Sequence, residues 1–468
     1  MNMKKNIYFY LLYLIIIFFA LFLYNKYPDY FALLISVTLI PLILYIGFKY
    51  YVFLLLIIPT NLIFSSIPNL YILERDIHGF SLPIFGIFQV MFCIIALIKI
   101  VELRKKRHRN KIRIMDITGI KPYLLFLIIL LFGLLMTEGW KKTGALSQWL
   151  MWLNMLIMYI YIVHYFDVKK FLPTLVSVCV LSSLIPIGYM LIQYWMNIGH
   201  LSSVEEFYAL YSNPFGWRAH LAYFLATLFP VTVVLSFNSY DSSKYQKSFF
   251  YSIISILALL VIYFTFIRGV LVTVLISIIV VVFFYRKKLL FPLILGIALL
   301  VLIPATTFRF AEFAGGIDLN NPALASNRLF IWQNLWNVVI RKPFTGYGLG
   351  SFYSISKGIS AIQYSAHCDF LYILIESGII GLIPLILFYY LLFKKAIKSA
   401  MVTKNRYTKA LLIGFIGALC VHLLGGLIDN LLFMYDARLL LFCFAAIAYI
   451  CERSVIEEKK GAFSLSDK

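Results

Sequence analysis

Apolar runs of about 16–22 residues, broken by short polar stretches, recur along nearly the whole chain. The runs are continuously apolar and do not alternate, which predicts membrane-crossing helices and argues against the strands of a barrel. About fourteen spans result, near 7–24, 31–47, 51–66, 81–98, 122–137, 148–163, 171–196, 218–237, 249–266, 269–285, 289–307, 370–393, 410–428 and 437–451. The first run follows Lys4 and Lys5, as a signal peptide would. It lacks a small-residue cleavage site and leads into further spans, so it reads as a retained helix. The fold class predicted is all-α, a polytopic integral membrane protein.

One connection breaks the rhythm. From Phe308 to Asp369 the chain stays out of the membrane for far longer than a helix connection needs. The segment keeps Trp332, Trp336 and helical spacing through Asn327–Trp336, followed by a glycine-rich turn over Pro343–Gly350. This reads as a structured loop, with an amphipathic helix on the membrane surface as its simplest form, and long ordered loops commonly carry function. The chain thus divides into N-terminal helices over 1–212, helices carrying arginines over 213–307, the loop over 308–369, C-terminal helices over 370–451 and a tail over 452–468.

Composition agrees with this pattern, since 62% of the 468 residues are hydrophobic and only 13% are charged. A formal charge of +21 raises the question of nucleic acid, but the basic residues form no patch on a soluble domain. They fall in alternate breaks instead: Lys49, Arg104–Arg107, Lys169–Lys170, Lys244 with Lys247, Arg286–Lys288, and Lys394 to Lys409. Such alternation predicts the orientation, with those loops and both termini cytoplasmic. The long loop then lies on the extracytoplasmic side.

Of six cysteines, five lie within or at the ends of apolar runs and only Cys368 is in an outside loop, so neither a disulfide framework nor a metal cluster is expected. No phosphate-cradling glycine loop is present either. The reading is of a protein that uses no metal, no cofactor and no nucleotide.

Three ionisable residues share the predicted outer face. Arg268 stands in Ile267-Arg268-Gly269 at a break too tight for a loop, where it either snorkels to the headgroups or grips an anion. Arg218 opens a span beside Trp217 and reads either as an interfacial anchor or as a second anion ligand. His367 closes the long loop and reads either as a hydrogen-bonded structural residue or as a base. Guanidinium groups bind phosphate oxygens bidentately at any working pH, and a histidine can take a proton from a hydroxyl. Together they suit a lipid diphosphate-linked sugar, a donor that carries its own activation. Asp369 and Glu376 are candidates for orienting His367. Nine residues put Glu376 about half a turn out of phase on a helix, which favours a structural cap or loop anchor. Arg328, in the loop helix, is a further candidate for phosphate or for the loop's own carboxylates.

The order of these pieces resembles the O-antigen ligase and O-antigen polymerase superfamily of bacterial membrane glycosyltransferases. The pieces are the Arg-Gly break, a loop with Asn327-Arg328 and Trp332, Pro343-x-x-Gly346-x-Gly348-x-Gly350-Ser351-Phe352, and then His367 leading into Leu371 and Glu376-Ser377-Gly378. The likeness runs from about Asn213 to Phe393. It implies a lipid-sugar-dependent (GT-C) type of fold. It also implies metal-independent transfer of glycan from undecaprenyl diphosphate to an acceptor such as lipid A-core, at the periplasmic face of the bacterial inner membrane. Arg218 and Arg268 match the family's diphosphate-binding arginines, and His367 its acceptor-activating histidine. Two positions depart from the pattern: Ile267 stands where the family often has serine, and Cys368 where it has asparagine. The expected partners are the lipid-linked donor, a lipid or glycan acceptor and membrane lipids, with no nucleic acid. Ligase is the leading reading. Repeat-unit polymerase, protein O-oligosaccharyltransferase and a flippase using alternating access are the alternatives.

Overall fold

The structure is a computed structural model that describes residues 97, 98, 100, 101, 113–137, 141–165, 172–195, 218–265, 267–295, 328–359, 366–431 and 434–466. Over these residues the chain is helical, with no strand. In chain order the helices are α1 (Ile120–Leu135), α2 (Lys141–Tyr165), α3 (Leu172–Leu181), α4 (Leu184–Trp195), α5 (Arg218–Asp241) and α6 (Tyr245–Phe264). They continue with α7 (Arg268–Tyr285), α8 (Arg328–Arg341), α9 (Phe352–Ile359), α10 (Asp369–Val402), α11 (Arg406–Ile428) and α12 (Tyr435–Ser466). Seven candidate crossings, in α2, α5, α6, α7, α10, α11 and α12, are long and apolar enough to span a membrane. The expected spans at 7–24, 31–47 and 51–66, nearly all of 81–98 and most of 289–307 lie outside the described residues. The span expected over 171–196 is interrupted between α3 and α4. There the Ser182 and Ser183 hydroxyls donate to the carbonyls of Val178 and Val180, each at 2.7 Å, and compete with the helix ladder.

α11 is the central element, packed against α5, α7, α10 and α12. Small residues allow this. A β-carbon at Gly417 would lie 2.5 Å from Pro230 of α5 and 2.8 Å from Val281 of α7, so only glycine permits both contacts. The Ser277 hydroxyl of α7 donates to the Gly417 carbonyl at 2.9 Å across that gap. α5 and α6 are joined by a hydroxyl ladder instead, with Ser236 bonded to Ser252 at 2.7 Å and Ser255 to Thr232 at 2.8 Å. The outer faces remain apolar, with Phe249, Ile256 and Leu260 of α6 and Ile383 and Leu387 of α10 exposed, which suits hydrocarbon as solvent.

The ends of the helices sort by charge. Asp241, at the end of α5, pairs with Arg286 beyond α7 and accepts from Arg406 at the start of α11 through its carbonyl, so three basic breaks of the chain meet at one end of the bundle. Counting helices up and down from there puts the first residues of α5, α7, α10 and α12 and the last residues of α11 at the other end.

α10 is too long to be one straight crossing. Its 34 residues would reach about 50 Å, well past a hydrocarbon core of about 30 Å. The helix breaks at Gly378, whose φ of 62° and ψ of −167° belong to glycine almost exclusively. The glycine-rich turn expected after α8 is present and fills this break. Tyr347 and Gly348 donate their amides to the carbonyls of Ile375 and Glu376, at 2.8 and 3.0 Å. Ile379 and Ile380 donate in return to Pro343 and Phe344, at 2.9 and 3.2 Å. A β-carbon at Gly378 would run into the Phe344 carbonyl, and one at Gly346 would lie 2.6 Å from that of Ile375. Asp369, before the break, and Tyr389, after it, both bear electrostatically on the buried Arg438 of α12. A straight helix would hold those two about 30 Å apart, and the break redirects the chain between them.

Candidate functional site

The site is built around the last residues of α11 and the entry to α10. His367 has a φ of 46°, a left-handed conformation uncommon for a residue with a side chain and often found where function demands it. Two interactions hold the backbone on either side. The Trp332 indole of α8 donates to the Ala366 carbonyl at 2.9 Å, and the Cys368 amide donates to the Asn430 side-chain oxygen at 3.1 Å. The result is an imidazole about a third exposed, with Nδ1 3.4 Å from Oδ1 of the Asp429 carboxylate. The Asn430 amide donates to the same Asp429 oxygen at 2.9 Å, which fixes the carboxylate. Contacts of this kind are often long without substrate and tighten in the reacting complex.

Of the three arginines at this end of the bundle, Arg328 reaches the same corner. Arg328, the first residue of α8, donates through Nη1 to the Ile428 carbonyl at 2.6 Å, one residue before Asp429. Arg268 is the first residue of α7 and its side chain is exposed. The space beside Gly269 is taken by protein: a β-carbon there would lie 2.8 Å from Ile428 and 3.7 Å from the Tyr223 hydroxyl. Gly269 therefore serves the close approach of α7 to α11. Arg218 is the first residue of α5, at the same end of the bundle, and its side chain lies outside the described residues. Beside it, His220 Nδ1 stands 3.8 Å from the buried Asp436 carboxylate of α12.

Of the two carboxylates considered as partners for His367, Glu376 is engaged by the loop. Asp369 is 1% exposed and packs against α11, where a β-carbon on Gly426 would lie 2.6 Å from its Oδ2. Glu376 is buried and anchors the loop, accepting from the Gly350 amide at 2.9 Å and from the Gln148 side chain of α2 at 2.8 Å. Cys368 is buried as well, and burial pushes its thiol pKa up, which makes it a poor nucleophile. Among the described residues, no three His, Cys, Asp or Glu side chains gather as a metal site would require.

Sequence reasoning missed Asp429, Asn430 and Tyr223. Asp429 and Asn430 stand side by side at the close of an apolar run, a faint signal that reads equally well as an ordinary helix end. Tyr223 lies within an apolar span and carries no signal at all.

Residues 253–386 match the family model described as O-antigen ligase. That stretch begins in α6, ends in α10 and contains Arg268, Arg328, His367 and the glycine turn, so the resemblance read from the motif order holds there. A protein of Rickettsia conorii named, provisionally, as a polysaccharide ligase is 37% identical over 98 residues. The match spans 19% of this chain and 23% of that relative.

Proposed function

We propose that this protein is a glycosyltransferase of the O-antigen ligase type, moving a glycan from undecaprenyl diphosphate to an acceptor such as lipid A-core at the periplasmic face of the bacterial inner membrane. The observation that carries this reading is the junction of His367, Asp429 and Arg328 at one end of a helical bundle, with Arg268 opening the neighbouring helix, largely within the stretch that matches the ligase family.

The chemistry follows from the side chains. In the tautomer whose Nδ1–H is directed at Asp429, Nε2 is the basic nitrogen of His367. Nε2 takes the proton of an acceptor hydroxyl as that oxygen forms its bond to the anomeric carbon. The bond from that carbon to the diphosphate oxygen breaks, and undecaprenyl diphosphate leaves with the electron pair. Asp429 steadies the imidazolium that results. Negative charge grows on the departing diphosphate, where Arg268 and Arg218 lower the barrier by preorganised positive charge. The donor is already activated by its diphosphate, so the reaction needs neither metal nor nucleotide. The alternation of basic breaks supports placing the His367 end outside the cytoplasm, with both termini inside.

The test is the glycan phenotype of a deletion. Full-length polymer retained on undecaprenyl diphosphate is the expected result. Acceptor capped with a single repeat unit would instead assign a repeat-unit polymerase. An unchanged glycan profile would overturn the reading.

A further inference from the structure

Tyr223 of α5 is fully buried, yet its hydroxyl has no hydrogen-bond partner among the described residues. An orphaned polar atom in the interior costs stability, so a native one calls for an explanation. Packing does not supply it, because phenylalanine would fill the same volume without the cost.

The surroundings point at a ligand. Two glycines make room for this side chain: a β-carbon on Gly425 of α11 would lie 2.8 Å from the ring, and one on Gly269 of α7 would lie 3.7 Å from the hydroxyl. The ring therefore passes along α11 and delivers its oxygen to the first turn of α7. That turn begins at Arg268, and its N-cap, Ile267, offers no side-chain acceptor to the first amides. An uncapped N-terminus of an 18-residue helix presents amide hydrogens and positive dipole together. The charges that bear on the Tyr223 hydroxyl are those of Asp429, Arg328 and Asp369, the same corner that holds His367.

We propose that Tyr223 is a donor-binding residue, its hydroxyl hydrogen-bonding an oxygen of the lipid-linked diphosphate at the N-terminus of α7 beside Arg268. The assignment rests on the function proposed above and adds a neutral donor to a site otherwise defined by guanidinium groups. A neutral donor adds no charge to the interior before substrate arrives, and it gains strength from the anion when it does.

The test uses the full-length protein in nanodiscs, with undecaprenyl diphosphate as probe and undecaprenol as control for the chain. Tyr223→Phe keeps the ring between the two glycines. Without lipid its melting temperature should equal or exceed that of the wild type, because no internal hydrogen bond is lost. Binding of undecaprenyl diphosphate, read as the rise in melting temperature with concentration, should weaken about tenfold to hundredfold, the range for a hydrogen bond to a charged group. The response to undecaprenol should not change. A lower melting temperature in the lipid-free variant would show that the hydroxyl was already satisfied within the protein, and would overturn the proposal. So would equal weakening toward both lipids, or wild-type affinity for the diphosphate. If the wild type itself fails to bind undecaprenyl diphosphate, the proposed function falls and this assignment falls with it. If the wild type binds and the variant binds equally well, only Tyr223 is removed from the site.

Discussion

His367 Nδ1 and Asp429 Oδ1 lie 3.4 Å apart although 62 positions separate them in the chain. One residue precedes α10 and the other follows α11, so the pair exists only because those two helices pack together. Its consequence is a division of labour within the site. His367→Ala should lower turnover by about two to four orders of magnitude, and Asp429→Ala by about two, with donor binding nearly unchanged in both. Because the two residues act as a unit, the double variant should be little worse than His367→Ala. Steady-state rates set beside lipid-binding titrations measure this, and additive losses would show that Asp429 acts elsewhere.

Arg268 tests the nature of the cation site. A snorkelling arginine is replaced by lysine at little cost, whereas a planar fork on a diphosphate is not. Arg268→Lys should express and melt like the wild type, since the side chain is exposed, and should lose about a hundredfold to a thousandfold in kcat. Arg218→Lys should behave alike. Wild-type transfer by Arg268→Lys would remove that residue from the mechanism and leave Arg218 and Arg328 to be tested in its place.

Gly378→Ala should be among the most damaging substitutions distant from His367. The backbone conformation alone costs about 1–3 kcal/mol for a residue with a side chain, and the new β-carbon collides with the Phe344 carbonyl. Thermal unfolding in nanodiscs should show a large drop. A melting temperature within a degree or two of the wild type would mean that the glycine turn is not seated in the helix break.

Thiol labelling reads both burial and orientation. Cys368 lies beside His367 but is buried with its thiol pKa raised, so it should react slowly with a maleimide near neutral pH and faster as the pH climbs. Asn337→Cys, on the exposed side of α8, should react promptly with an impermeant reagent in cells whose outer membrane alone is opened. Lys398→Cys should react only after the inner membrane is broken. The reverse order would invert the orientation.

How much of this could be read from the chain follows from the range of each interaction. Among the described residues, the membrane-crossing helices were legible because burial in lipid demands a continuous apolar run, a local property. The helix beginning at Arg328 and the turn at Pro343–Gly350 were legible for the same reason, through spacing and glycine content. Glu376 reads as a loop anchor and is found bonded to Gly350 and Gln148. The helical phase behind that reading assumes a helix from His367, whereas α10 begins at Asp369 after a left-handed His367. Asp429 was not legible. Its partner is reached only through the contact of α10 with α11, and no local feature separates it from any other polar residue at a helix end. The break inside α10 was hidden too, because Glu376-Ser377-Gly378 lies within an apolar run and the strands of backbone that satisfy it come from a loop read separately.

That break also sets an order of events. The amides of Ile379 and Ile380 and the carbonyls of Ile375 and Glu376 take their partners from Pro343–Gly348, a segment synthesised earlier. Until that segment has folded against it, α10 carries backbone groups at its break that lipid cannot solvate. The loop thus acts as an assembly partner for a helix that follows it in synthesis. Shortening it should trap the protein during membrane insertion, with quality-control proteolysis the visible outcome before any loss of transfer is measured.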